Sequence, residues 1–185
     1  MKLTPRLLTI AELIDGSEKM ADVGTDHAYL PVYLIKANKV KKAIAADVNK
    51  GPLENARTTI KQYELEDKIE TRLGSGITPI HKNEIDTLVI AGMGGLLIRD
   101  ILSDDMDKLK TIDKLILQPM IAQDELRKWL FNQGYSIVDE RLAKEEDKLY
   151  EIIVATKGKQ EVANDIYYEI GKKIIENMDP LLDDY

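Results

Sequence analysis

A chain of 185 residues with 44% apolar and 32% charged residues has the composition of one water-soluble domain with a sizeable core. It holds no cysteine, which excludes disulfides and thiolate metal sites, and its two histidines, His27 and His81, are too few for a histidine-rich centre, so no metal is expected. No apolar run approaches the roughly 18 residues of a membrane span, and the first residues lack the apolar stretch of a signal peptide, so a cytoplasmic location without a membrane partner is expected.

The predicted elements alternate. Thr4-Pro5 reads as an N-cap with proline at the first helical position, and Leu7, Leu8, Ala11 and Ile14 continue it as a short amphipathic helix over 5–14. A strand near 20–24 precedes a helix near 28–37. A second strand, 43–47, precedes a helix near 51–63. A third, 69–73, runs into Gly74-Ser75-Gly76. A fourth, 87–91, precedes a helix near 95–103, and a fifth, 114–118, a helix near 122–133. Alternation of this kind argues for a parallel sheet covered by helices. Trp129, spaced with Leu126 and Leu130, belongs to a core face.

The pattern then changes. The strand-like runs 136–143 and 149–156 are separated by five residues, too few for a helix, so they pair antiparallel. Residues 160–185 are helical in character, with Ile166, Ile170, Ile174 and Met178 on one face. Five parallel units closed by an antiparallel hairpin is similar to the arrangement of class I S-adenosylmethionine-dependent methyltransferases. A nicotinamide-binding domain would continue with a sixth parallel strand.

The net charge of −7 is uneven: residues 1–50 sum to +2 and residues 51–185 to −9. The basic concentration is Lys36, Lys39, Lys41 and Lys42. An acidic chain argues against a strong non-specific grip on nucleic acid, but leaves room for a nucleic-acid enzyme with one basic face.

The richest chemistry lies in Asp22-Val23-Gly24-Thr25-Asp26-His27-Ala28-Tyr29-Leu30-Pro31, a glycine-bearing strand-to-helix turn of the type that holds nucleotide cofactors. A phosphate cradle wants three glycines, and here Asp26 sits in its centre. A carboxylate there repels pyrophosphate and suits a cofactor carrying a cation. Asp47, ending the second strand, either accepts ribose hydroxyls or caps the following helix. Gly74, Ser75 and Gly76 either approach a flat ring or form an ordinary turn. Ala91, Gly92, Met93, Gly94 and Gly95 leave backbone exposed at the sheet edge where α/β folds bind ligands, and Gln118-Pro119 ends the neighbouring strand. His27 reads as an aromatic lid, a donor, or a turn residue. Arg6 reads as a clamp over cofactor or phosphate, or as a surface arginine.

Together with Leu3-Thr4-Pro5-Arg6-Leu7, Leu117-Gln118-Pro119-Met120, Asp147 and Tyr150-Glu151-Ile152, these segments make the chain resemble the bacterial tRNA (adenine-22-N1)-methyltransferase family, TrmK, over residues 1 to about 182. The resemblance implies a seven-stranded, mostly parallel methyltransferase sheet with an antiparallel C-terminal hairpin, a short N-terminal helix and a helical tail. It implies S-adenosylmethionine as methyl donor and N1 of adenine 22 of tRNA as acceptor; another RNA site or a small molecule is the alternative substrate. The expected cofactor site comprises Asp22, Gly24, Asp26, His27, Asp47, Val48, Gly74, Ser75, Gly76, Ala91, Gly92, Met93 and Gly94, with Asp26, His27 and Arg6 as catalytic residues. Residues 1–158 are expected to form the methyltransferase domain, and 159–185 the start of a helical region that grips tRNA.

Overall fold

The computed structural model describes residues Met1–Tyr185. Helix α1 (Pro5–Glu12) leads into β1 (Ser17–Val23), α2 (Tyr29–Lys36), β2 (Val40–Asp47), α3 (Lys50–Gln62), β3 (Ile69–Leu73), β4 (Thr87–Met93), α4 (Gly95–Ser103), the single turn α5 (Met106–Leu109), β5 (Lys114–Pro119), α6 (Gln123–Asn132), β6 (Tyr135–Glu145) and β7 (Lys148–Lys157). The strands form one sheet in the order β3-β2-β1-β4-β5-β7-β6. The first five are parallel, and β7 enters antiparallel between β5 and β6.

The central strands β1, β2, β4 and β5 are largely apolar on both faces because both faces are covered. Alternate residues feed two cores. Met20, Ala43, Val89, Ile116 and Ile152 face α1, α2 and α3. Ala21, Ile44, Leu88, Leu115 and Ile153 face α4, α5 and α6. Thr4 caps α1 with its hydroxyl accepting from Leu7 N at 3.4 Å, and Pro5 opens the helix. Trp129 is half-buried and packs against the second core.

The tail is helical in character but not continuous. It breaks into α7 (Ile166–Glu169), α8 (Lys172–Glu176) and a 3₁₀ turn, Leu182–Asp184. Of the expected apolar face only Ile174 is buried; Ile166 and Met178 are exposed. Polar anchoring overrides the helical pattern. Arg127, buried on α6, donates from Nη1 to the carbonyls of Tyr168 (3.0 Å) and Glu169 (3.2 Å), the end of α7. Its Nε reaches Glu140 at 2.7 Å and its Nη2 pairs with Glu151. The Glu140 carboxylate lies where a Cβ on Gly171 would stand, so the chain turns there at a residue without a side chain. Lys173 N donates to Glu140 (3.1 Å), Leu142 N to Asp179 (2.9 Å), and the Tyr185 hydroxyl to Glu151 (2.8 Å). Burial pushes the Glu140 carboxyl up and the Tyr185 phenol well above its ordinary range.

Candidate active site

The C-terminal ends of the parallel strands open into a cleft of about 280 Å³. The strand order reverses at β1, which has β2 on one side and β4 on the other, and this switch point is where α/β folds bind ligands. The wall includes Gly24, Asp47, Val48, Gly74, Ser75, Gly76, Ala91, Gly92 and Met93, all anticipated from the sequence. It also includes Val23, Asn49, Leu97 and Ile101, which were not. Leu97 and Ile101 are one helical turn apart on α4, a spacing that the apolar pattern of that helix carried.

Each strand end is shaped by a backbone constraint. Gly24 has φ +81°, and a Cβ there would overlap the Met93 methyl group. Gly76 has φ +52°, and a Cβ there would stand 2.9 Å from Ile101 Cγ2. Gly74 is closed by Pro79 at 2.9 Å. At Gly95 a Cβ would strike the Ala122 carbonyl and lie 2.9 Å from the Ile121 carbonyl. That closeness lets Gly95 N donate to Ile121 O at 2.8 Å, while Met120 N donates to Met93 O at 2.8 Å. The loops after β4 and β5 are thus stitched together.

One carboxylate, Asp47, lines the cleft, and a second, Asp22, lies at the neighbouring strand end. Asp47 accepts Asn49 N–H at 2.7 Å through Oδ1, and Oδ2 takes no bond from the protein. Asp22 is buried at the end of β1 rather than in the cleft wall. Burial, with the nearby Asp47 charge adding to it, raises its pKa from 3.8 to about 6. The Thr25 hydroxyl is buried in the same turn beside the Asp22 carboxyl and offsets part of that rise. A free Asp47 carboxylate oxygen in a glycine-lined cleft, with a desolvated carboxyl at the neighbouring strand end, fits an adenosyl donor with a ribose diol and a cationic tail.

The remaining predicted residues lie outside that wall. Asp26 is 69% exposed in the loop after β1, with Oδ2 at 3.3 Å from His27 Nε2. The His27 ring stacks on Tyr29, centroids 5.0 Å apart. Gly94 sits beneath Ile121, whose Cγ1 is 3.6 Å from the Cβ position. Arg6 is drawn inward. Its Nη1 donates to Gln118 Oε1 at 2.6 Å, and the same oxygen accepts Gly92 N–H at 3.0 Å. Arg6 N donates to Glu145 at 2.9 Å, and the guanidinium lies 5.4 Å from the Tyr150 ring centroid. Gln118 is wholly buried and donates to the Pro119 carbonyl at 2.9 Å.

Comparison with known proteins bears on this arrangement. Residues 3–153 match the methyltransferase domain family. The chain is 42% identical over 165 residues to the tRNA (adenine(22)-N(1))-methyltransferase of Bacillus subtilis, covering 89% of this chain and 69% of that protein. A Streptococcus pneumoniae protein solved in complex with S-adenosyl-L-methionine superposes with a TM-score of 0.93 at 34% identity, over 97% of this chain and 84% of that one. TrmK of M. capricolum, solved with S-adenosyl-homocysteine, gives 0.84 at 34% identity, over 93% and 76%. No helix here is long and apolar enough to cross a membrane.

Proposed function

Since this chain belongs to the tRNA (adenine(22)-N(1))-methyltransferase family, we propose that it transfers a methyl group from S-adenosylmethionine to N1 of adenine 22 in tRNA. The observation that carries this reading is the cleft itself: a free Asp47 oxygen, glycine turns and a stitched double loop at the switch point of a methyltransferase sheet.

S-adenosylmethionine, when bound, supplies an electrophilic methyl group. Adenine N1 has a free lone pair at neutral pH, so the protein has no proton to remove before attack. Its work is orientation, holding N1 in line with the methyl carbon and sulfur. Asp47 would take the ribose hydroxyls, the Gly74–Gly76 turn the adenine ring of the donor, and Asp22 the cationic tail. Methylation leaves positive charge on the target ring, so a nearby acceptor lowers the barrier. Asp26, exposed in the loop after β1 and paired with a His27 ring that stacks on Tyr29, is the carboxylate assigned to the exocyclic amine. A guanidinium would oppose that developing charge. We therefore assign Arg6 to positioning: it fixes the Gly92 loop through Gln118, its charge answered by Glu145 Oε2 at 3.8 Å from Nε. Residues 1–158 are assigned to catalysis, and the strap 159–185 to supporting the grip on RNA.

The test is transfer of labelled methyl groups to an unmodified tRNA with adenine at position 22, beside the same tRNA with guanine there. Incorporation into the first alone is expected. Equal incorporation, or none into either, overturns the assignment.

A further inference from the structure

Large apolar side chains cluster on one rim of the cleft. Leu96 and Leu97, at the start of α4, are 44% and 52% exposed, and Met120 and Ile121, after β5, are 41% and 68% exposed. They share one ledge, because Gly95 N–Ile121 O and Met120 N–Met93 O join the two segments at 2.8 Å. Leu97 also lines the cleft, so the ledge is continuous with the site. Exposing four aliphatic side chains together costs solubility and calls for a contact.

The identity of that contact follows from the chemistry. N1 lies on the pairing edge of adenine, which in stacked and paired RNA is closed to an enzyme. The base has to leave its stack, and the gap it leaves must be filled. Neither segment of the ledge, 91–98 or 115–122, contains an acidic residue, in a chain of net charge −7. A carboxylate there would repel a phosphate backbone. We propose that Ile121, supported by Leu96 and Met120, is an apolar wedge that stacks on the base flanking the target adenine and holds the target out of its stack. Aliphatic side chains do this at kinked base steps elsewhere, repaying part of the unstacking cost. The proposal rests on the reading of a tRNA adenine as substrate. It makes Ile121 a positioning residue for the base, distinct from the groups around the donor.

The test uses tRNA carrying 2-aminopurine at the target position, whose fluorescence rises when the base unstacks, with full-length protein saturated with S-adenosyl-homocysteine. The wild type is expected to give the rise, Ile121→Ser to lose most of it, and Ile121→Leu to keep it. The kcat/KM of Ile121→Ser on tRNA is expected to fall about tenfold, while its affinity for S-adenosyl-homocysteine stays unchanged. Leu96→Ser gives an independent reading where Ile121→Ser folds poorly. A full rise with Ile121→Ser overturns the wedge. So does a dimer that Ile121→Ser dissociates with the rise intact, since the ledge would then serve a second copy. A wild type that methylates no adenine 22 overturns the underlying function instead, and the two failures are distinguishable.

Discussion

Arg6 and Gln118, 112 residues apart, meet at 2.6 Å, and the Gln118 oxygen that receives the guanidinium also receives the Gly92 N–H. One buried amide therefore sets both the N-terminal helix and the loop facing the reaction. Replacing it with an apolar isostere, Gln118→Leu, leaves Arg6 Nη1 and Gly92 N–H unpaired. Gly92 is exposed and Arg6 part-buried, so water takes up part of the loss, which comes to about 1 kcal/mol. The expected outcome is a lower melting temperature and a drop in kcat larger than the change in KM for the donor, measured by thermal melts and methyl-transfer kinetics.

Asp22 couples pH to stability. Its folded pKa of about 6 lies above its unfolded value of 3.8, so the folded state binds more protons between these values. The contribution to stability is fully present below the lower value and is lost as pH rises through the upper. At about pH 7 the deficit is roughly 3 kcal/mol. Asp22→Asn is expected to melt higher than wild type near neutral pH, with an advantage that shrinks toward pH 4, and to bind S-adenosyl-homocysteine more weakly. Melts across pH, with and without that ligand, check both.

Asp47 presents one unused oxygen to the cleft. Loss of charged hydrogen bonds to a diol is worth about 1.5–3 kcal/mol, so Asp47→Ala is expected to weaken S-adenosyl-homocysteine binding about 10- to 100-fold by calorimetry. The stability cost should be only about 1 kcal/mol, from the lost Asn49 contact.

Asp26→Asn keeps the shape of the exposed carboxylate and removes its charge. The expected result is kcat reduced by about tenfold or more with donor affinity nearly unchanged. Unchanged turnover would remove Asp26 from the mechanism.

Arg127 holds the tail to the domain through two buried carboxylates and two carbonyls. Arg127→Met strands Glu140 and Glu151 and is expected to cost about 3–5 kcal/mol. Limited proteolysis should then cut within residues 160–185 before the core unfolds. Adding Glu140→Gln and Glu151→Gln should restore part of the loss.

Much of the fold is legible in the sequence because most of its strands are short apolar runs that alternate with stretches of helical spacing. The residues expected for β3, 69–73, and for α4, 95–103, are those the structure assigns. The glycine turns at the cleft are legible because glycine at a strand end marks a backbone that something approaches closely. Arg127 is not. A charged residue between Leu126 and Trp129 reads as solvated, and its partners arrive from β6 and β7, 13 and 24 residues onward. The breaks in the tail are hidden for the same reason: Ile166 and Met178 keep helical spacing, but long-range polar bonds set the path between its helical pieces. Gln118 carries no local signal of its bond to Arg6.

Gly95 offers a means of sorting related sequences. The atoms that crowd its Cβ position are backbone carbonyls of Ile121 and Ala122, which cannot rotate aside as a side chain would. Any residue larger than glycine there separates the two loops and, with them, the stitched edge on which both the donor cleft and the apolar ledge depend. A chain that shares the rest of this pattern but has lost that glycine is expected to have both displaced.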